Sequence, residues 1–90
     1  GLIYERVGNL DLAIRHYSSI ISTGKYNYCH FYRRLCICLD RTGDYGREAK
    51  AIRLYFRANP VDRTKSGDEW FRQRLESVEN KLKSSLDFYL

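Results

Sequence analysis

An all-α fold is what this sequence predicts, and three observations predict it. Apolar residues recur at steps of three and four along most of the 90 residues, no stretch alternates at period two for long enough to form a strand, and Gly or Pro interrupts the pattern at intervals of helical length. The arrangement expected is a set of antiparallel helical hairpins over residues 1–60, a loop over 61–67 and a long closing helix over 68–90, all in one domain.

The first clear helix carries Leu10, Ala13, Ile14, Tyr17, Ile20 and Ile21 on one face and stops at Gly24. A second runs from about Tyr26 to Arg41, with Tyr28, Phe31, Tyr32, Leu35, Cys38 and Leu39 on its apolar side, and Thr42-Gly43-Asp44 breaks the pattern. The third carries Tyr45, Ala49, Ile52, Tyr55 and Phe56 and ends near Asn59-Pro60, because the residue before a proline is driven away from helical geometry. Val61 to Gly67 reads as a loop. Ser66, followed three residues later by Glu69, fits a capping box for the last helix, with Asp68 as the alternative cap. Its apolar positions are Trp70, Phe71, Leu75, Val78, Leu82, Leu86 and Tyr89.

Composition narrows the class. A chain of this size buries roughly 60–65 % of its unfolded surface, so the core is modest. Apolar residues make up 43 % and charged residues 30 %, as in a folded domain and not a disordered one. No run of about 18 apolar residues is present to span a bilayer, and nothing resembles a signal peptide. Three cysteines, Cys29, Cys36 and Cys38, are an odd number in a chain that is not cysteine-dense, which suits a reducing compartment; cytoplasm is the expectation. The apolar pattern is already running at Leu2, Ile3 and Tyr4, so the chain reads as a segment of something longer.

A worn internal repeat is present. Arg6-Val7-Gly8-Asn9-Leu10 recurs 35 residues later as Arg41-Thr42-Gly43-Asp44-Tyr45, and Ala13-Ile14-Arg15-His16-Tyr17 recurs 38 residues later as Ala51-Ile52-Arg53-Leu54-Tyr55. The difference implies three residues inserted near Gly46-Arg47-Glu48. In Gly1, Tyr4, Gly8, Ala13, Tyr17 and Ile20 the sequence resembles the tetratricopeptide repeat, a helix-turn-helix unit with small, aromatic and glycine residues in that order. The second unit matches less well, with Cys36, Leu39 and Gly43 at the places of Gly1, Tyr4 and Gly8. The closing helix lacks the motif's small positions and suits the role of a cap over an exposed apolar end.

That resemblance implies a scaffold that holds a protein or peptide on the first helix of each hairpin. The positions would be Leu2, Glu5 and Arg6 in the first hairpin and His30, Arg33, Ile37, Asp40 and Arg41 in the second, with Arg34 at the edge. The Lys/Asn set with which some members grip a terminal carboxylate is not visible here.

Charge points independently to the same region. Residues 1–24 and 61–90 are each balanced, and the net +5 resides in residues 25–60, which hold eight basic and three acidic side chains. Arg47, Lys50, Arg53 and Arg57 fall within about a third of the helical circumference and form a basic stripe. Such a stripe with tyrosines nearby suits an acidic protein partner, or a nucleic acid whose phosphates track the cations and whose bases stack on rings. Most of the eight tyrosines sit on apolar faces, which favours the protein and favours still more a plain solvated face.

Metal and catalytic readings are weaker. Cys29, His30, Cys36 and Cys38 lack the paired spacing of a structural zinc site. His16 with Asp11, or His30 with a cysteine, lacks the glycine-rich turn or third group that acid-base and nucleophilic centres use, and Glu76 and Glu79 interleave with Lys81 and Lys83 on a solvated face. No cofactor is implied and no enzyme is expected. The leading expectation is a protein-interaction scaffold, a regulatory or self-associating part of a larger protein; the alternative is a helical nucleic-acid-binding or accessory domain that uses the basic second hairpin.

Overall fold

The computed structural model describes the backbone of residues 8–89 and the side chains of 8–84. The fold is all-α: α1 spans Leu10–Thr23, α2 Cys29–Thr42, α3 Tyr45–Ala58 and α4 Lys65–Tyr89. Gly1, Leu2, Tyr4, Glu5 and Arg6, expected to belong to the first hairpin, lie outside the described residues, as do the side chains of Leu86 and Tyr89.

Each boundary has a local cause. Asn9 and Asp44 cap α1 and α3 by accepting from the backbone N–H groups of Leu12 and Arg47, three residues on, and so satisfy an amide that has no partner inside its helix. Gly24 and Gly43 end α1 and α2 in the left-handed region at φ 69° and 76°. A Cβ at Gly43 would meet nothing within 4 Å, so only backbone conformation opposes a side chain there. Gly43→Ala is therefore expected to lower stability by about 1–2 kcal/mol, measured by urea denaturation, with no change in helix content.

Two boundaries differ from those the sequence suggests. α2 begins at Cys29 and not Tyr26; Tyr28 is extended and offers no side-chain cap, and the Cys29 N–H is met by Asp62 Oδ1 at 2.8 Å from the loop after α3. α4 begins at Lys65, because Thr64 Oγ1 accepts from the Gly67 N–H at 3.0 Å and the Thr64 carbonyl from the Asp68 N–H at 2.9 Å. Thr64 is thus the cap, in place of Ser66 or Asp68, and Asp68 is released for tertiary contacts.

Consecutive helices form antiparallel pairs. Asn27, just before α2, donates to the Ala58 carbonyl at the end of α3 (2.8 Å), while Tyr55 late in α3 stacks on Phe71 early in α4 with ring centroids 3.7 Å apart. α2 and α4 consequently lie side by side, linked by Arg33 with Trp70 and by Asp40 with Arg74. The core contains Ala13, Ile14, Tyr17, Tyr32, Leu35, Cys36, Leu39, Ile52, Tyr55 and Phe71, all nearly inaccessible. Three of the aromatic anchors are tyrosines read from the sequence as core. Tyr28, expected on the apolar side of α2, is instead exposed, because α2 starts after it, and Tyr26 is exposed as well.

The repeat is present in a simpler form than the sequence suggested. Gly8 and Gly43 share a positive φ (78° and 76°), the caps Asn9 and Asp44 share φ/ψ near −88°/74°, and α1 and α3 are both 14 residues long. Turn, cap and helix recur here at 35 residues, and no insertion interrupts α3. The 38-residue match of Ala-Ile-Arg-x-Tyr arises because a shift of three residues returns nearly the same helix face. In the true register Glu48 stands where Ala13 stands, and both are fully buried.

Candidate functional site

The α2 residues proposed for binding keep one edge of the helix open. His30, Arg33 and Arg41 are exposed, and Ile37 and Arg34 are half-buried. Asp40, expected on the same face, is taken up by α4, with Arg74 at 3.1 Å and Lys81 at 3.6 Å. Arg33 crosses to α4 and lies 4.7 Å over the Trp70 ring, a cation–π contact that holds the guanidinium at a partly apolar surface. Beside it is a cleft of about 300 Å³ lined by Cys29, Arg33, Asp62, Thr64, Trp70 and Phe71, among others.

The floor of that cleft is fixed by the α3–α4 loop. The Val61 N–H donates to the Asn27 carbonyl at 3.0 Å, and Arg63 donates to Asp68 (2.7 Å) and Asn59 (3.0 Å). Tyr55 donates its hydroxyl proton to the same Asp68 oxygen at 2.6 Å. Arg63 and then Tyr55 hold the Asp68 carboxyl below its ordinary range, and the Cys29 N–H does the same for Asp62. Burial, followed by Asp62, pushes the Cys29 thiol up, and burial with Asp68 pushes Tyr55 up. The carboxylates are thus ionised and the thiol and phenol protonated at neutral pH, and their mutual hydrogen bonds brace the cleft. Among the described residues no three His, Cys, Asp or Glu side chains converge as a metal ion would require, and no helix is long and apolar enough to cross a membrane.

The basic stripe of α3 is elsewhere. Lys50, Arg53 and Arg57, with Leu54, line a separate depression of about 270 Å³. Arg53 is bridged to Glu79 of α4 at 2.8 Å and Arg47 to Asp44 at 3.6 Å, both exposed pairs of small energetic weight. Lys50 and Arg57 have no carboxylate within ion-pair distance among the described residues. Arg33 lines the cleft beside Trp70, whereas the α3 cations line this second depression, on a helix whose rotation is set by burial of Ala49, Ile52 and Tyr55.

One charged constellation escaped the sequence reading. Glu48 is inaccessible; Arg74 donates to its Oε2 from Nε (3.2 Å) and Nη2 (2.7 Å), while Oε1 is buried without a hydrogen-bond partner. Burial holds this carboxyl above its ordinary range against the opposing pull of Arg74. The signal was a glutamate in the register of Ala13, hidden by the supposed insertion. Protein-family models, curated proteins and solved structures were compared with the chain, and none matches.

Proposed function

We propose that the chain is a protein-interaction scaffold of tetratricopeptide-like hairpins that holds a peptide segment of a partner along the open edge of α2, over His30, Arg33, Ile37 and Arg41. The recurrence of the glycine–cap–helix unit at 35 residues is the observation that carries this reading, because a stack of such units offers the first helix of each hairpin to a ligand. The cations on that edge favour an acidic segment. The bracing of Asp62, Asp68 and Arg63 supports the same use, since a rigid cleft loses less freedom on binding. A nucleic-acid role has less support: of the α3 stripe, Arg47 and Arg53 are partly neutralised, and the buried tyrosines cannot stack on bases.

The test is affinity capture with and without nuclease, followed by reconstitution of any recovered pair from purified components. The expected result is a protein that survives nuclease treatment and whose binding is lost with Arg33→Glu, while circular dichroism of the variant shows the helix content retained and melting falls only by the small amount that loss of the Trp70 contact costs. Recovery of nucleic acid alone would overturn the reading.

A further inference from the structure

A second surface lies on the far side of the hairpins. α1 and α3 run side by side in the same direction, and between them is a depression of about 450 Å³ whose floor is Ile21, Tyr32, Leu54 and Ala58. Leu54 is 38 % exposed, and it also lines the depression that holds Lys50, Arg53 and Arg57, so the apolar floor passes directly into a cationic wall. The polar groups at the closed end are already engaged: Asn27 donates to the Ala58 carbonyl and accepts from the Tyr32 hydroxyl at 3.4 Å. Nothing on this floor asks for a hydrogen bond.

No charged side chain lines the floor itself; the cations stand on the flanking helix faces, next to Leu54 in α3 and next to Ser18 and Ser22 in α1. Lys50, Leu54 and Arg57 share one face of α3, and Arg15 shares a face of α1 with Ser18 and Ser22, which line the groove. Lys25 follows Gly24, which lines the depression, and Asp11, a turn before Arg15, carries the opposite sign. The balance is strongly cationic around an apolar strip.

We propose that this α1–α3 groove is a docking site for an acidic amphipathic helix of a partner protein. The complementarity is double: apolar anchors at helical spacing meet Ile21 and Leu54, and flanking carboxylates meet Lys50, Arg57 and Arg15. The occupant is a helix and not an extended strand, because both walls are helices whose backbone groups are already paired and offer no edge to a strand. A nucleic acid is disfavoured because the one ring in the floor, Tyr32, is buried and cannot stack. A second copy of this surface is disfavoured because like charges would oppose one another. The groove shares no lining residue with the cleft at the α2 edge.

The probe is a fluorescein-labelled 16-residue peptide with Leu at positions i, i+4, i+7 and i+11 and Glu on its flanks, titrated by anisotropy at several salt concentrations. A scrambled peptide of equal charge and a single-stranded RNA serve as comparisons. The amphipathic peptide is expected to bind, to weaken with added salt, and to weaken about tenfold or more with Leu54→Glu. Lys50→Glu with Arg57→Glu is expected to weaken it and flatten the salt dependence; both positions are exposed, so the fold is retained, which circular dichroism verifies. Arg33→Glu, on the other surface, is expected to leave this binding unchanged, which separates failure here from failure of the α2 reading. Equal binding of the scrambled peptide, tighter binding of RNA, indifference to Leu54→Glu, or self-association abolished by Leu54→Glu without peptide binding would each overturn the proposal.

Discussion

Arg74→Met is expected to lose about 3–5 kcal/mol of stability at pH 8, the cost of leaving a buried carboxylate without its counter-charge. The variant keeps a long side chain over Trp70 but removes both donors to Glu48 Oε2 and one of the cations on Asp40. The loss should shrink as the pH is lowered. Glu48 already has a raised folded-state value, and without Arg74 it rises further; a group of that kind binds more protons folded than unfolded. Stability from this site is therefore greatest below its ordinary value of about 4.3 and declines as pH increases through the raised one. Asp62 and Asp68 have the opposite sign, contributing fully above about 3.9 and less as pH falls, so the recovery is best read between pH 8 and 5. Adding Glu48→Ala, the residue of the equivalent Ala13, should restore most of the stability, since Asp40 still has Lys81. Urea denaturation of the two variants at both pH values measures this; a loss independent of pH and unrelieved by Glu48→Ala would show that Arg74 acts through packing alone.

Tyr55→Ala is expected to cost about 3–5 kcal/mol, comparable with the whole stability of a domain of this size, for which about 5–13 kcal/mol is typical. The Tyr55 ring is fully buried, stacks on Phe71, meets Tyr32 edge-on at 5.9 Å and carries the hydroxyl that holds Asp68. Tyr55→Phe keeps the ring and leaves Asp68 with Arg63, so about 0.5–1.5 kcal/mol is expected from that change. Urea midpoints for the pair decide the matter. Equal losses would mean that the hydroxyl and not the ring joins α3 to α4.

Among the described residues, helix number and type were legible because they rest on spacing: Ala13, Ile14 and Tyr17, or Ala49, Ile52 and Tyr55, read as buried faces and are buried. The turns at Gly24 and Gly43 were legible for the same local reason. The starts of α2 and α4 were not, because the first depends on Asp62, 33 residues away, and the second on Thr64 capping in advance of a stronger-looking Ser66–Glu69 pair. Of the candidate residues, the charge pattern was legible and the tertiary contacts, such as Arg33 over Trp70, were not. Periodicity placed Arg47, Lys50, Arg53 and Arg57 on one stripe, yet only packing decides which side of the molecule that stripe faces. Glu48 was missed because the supposed insertion hid its register with Ala13, and only its partner Arg74 on α4 explains a buried glutamate there.

The capping of α2 by Asp62 sets an order of assembly. A nascent chain that has emerged as far as Pro60 holds every residue of α1, α2 and α3, yet the first amide of α2 still faces water, and Asn27 has not received Val61. The start of α2 therefore gains its cap only after the chain has passed α3 and turned back. Fraying is expected to travel the same way in reverse: release of the 61–64 segment loosens both the start of α2 and the start of α4, so those two ends exchange their amide protons as one unit.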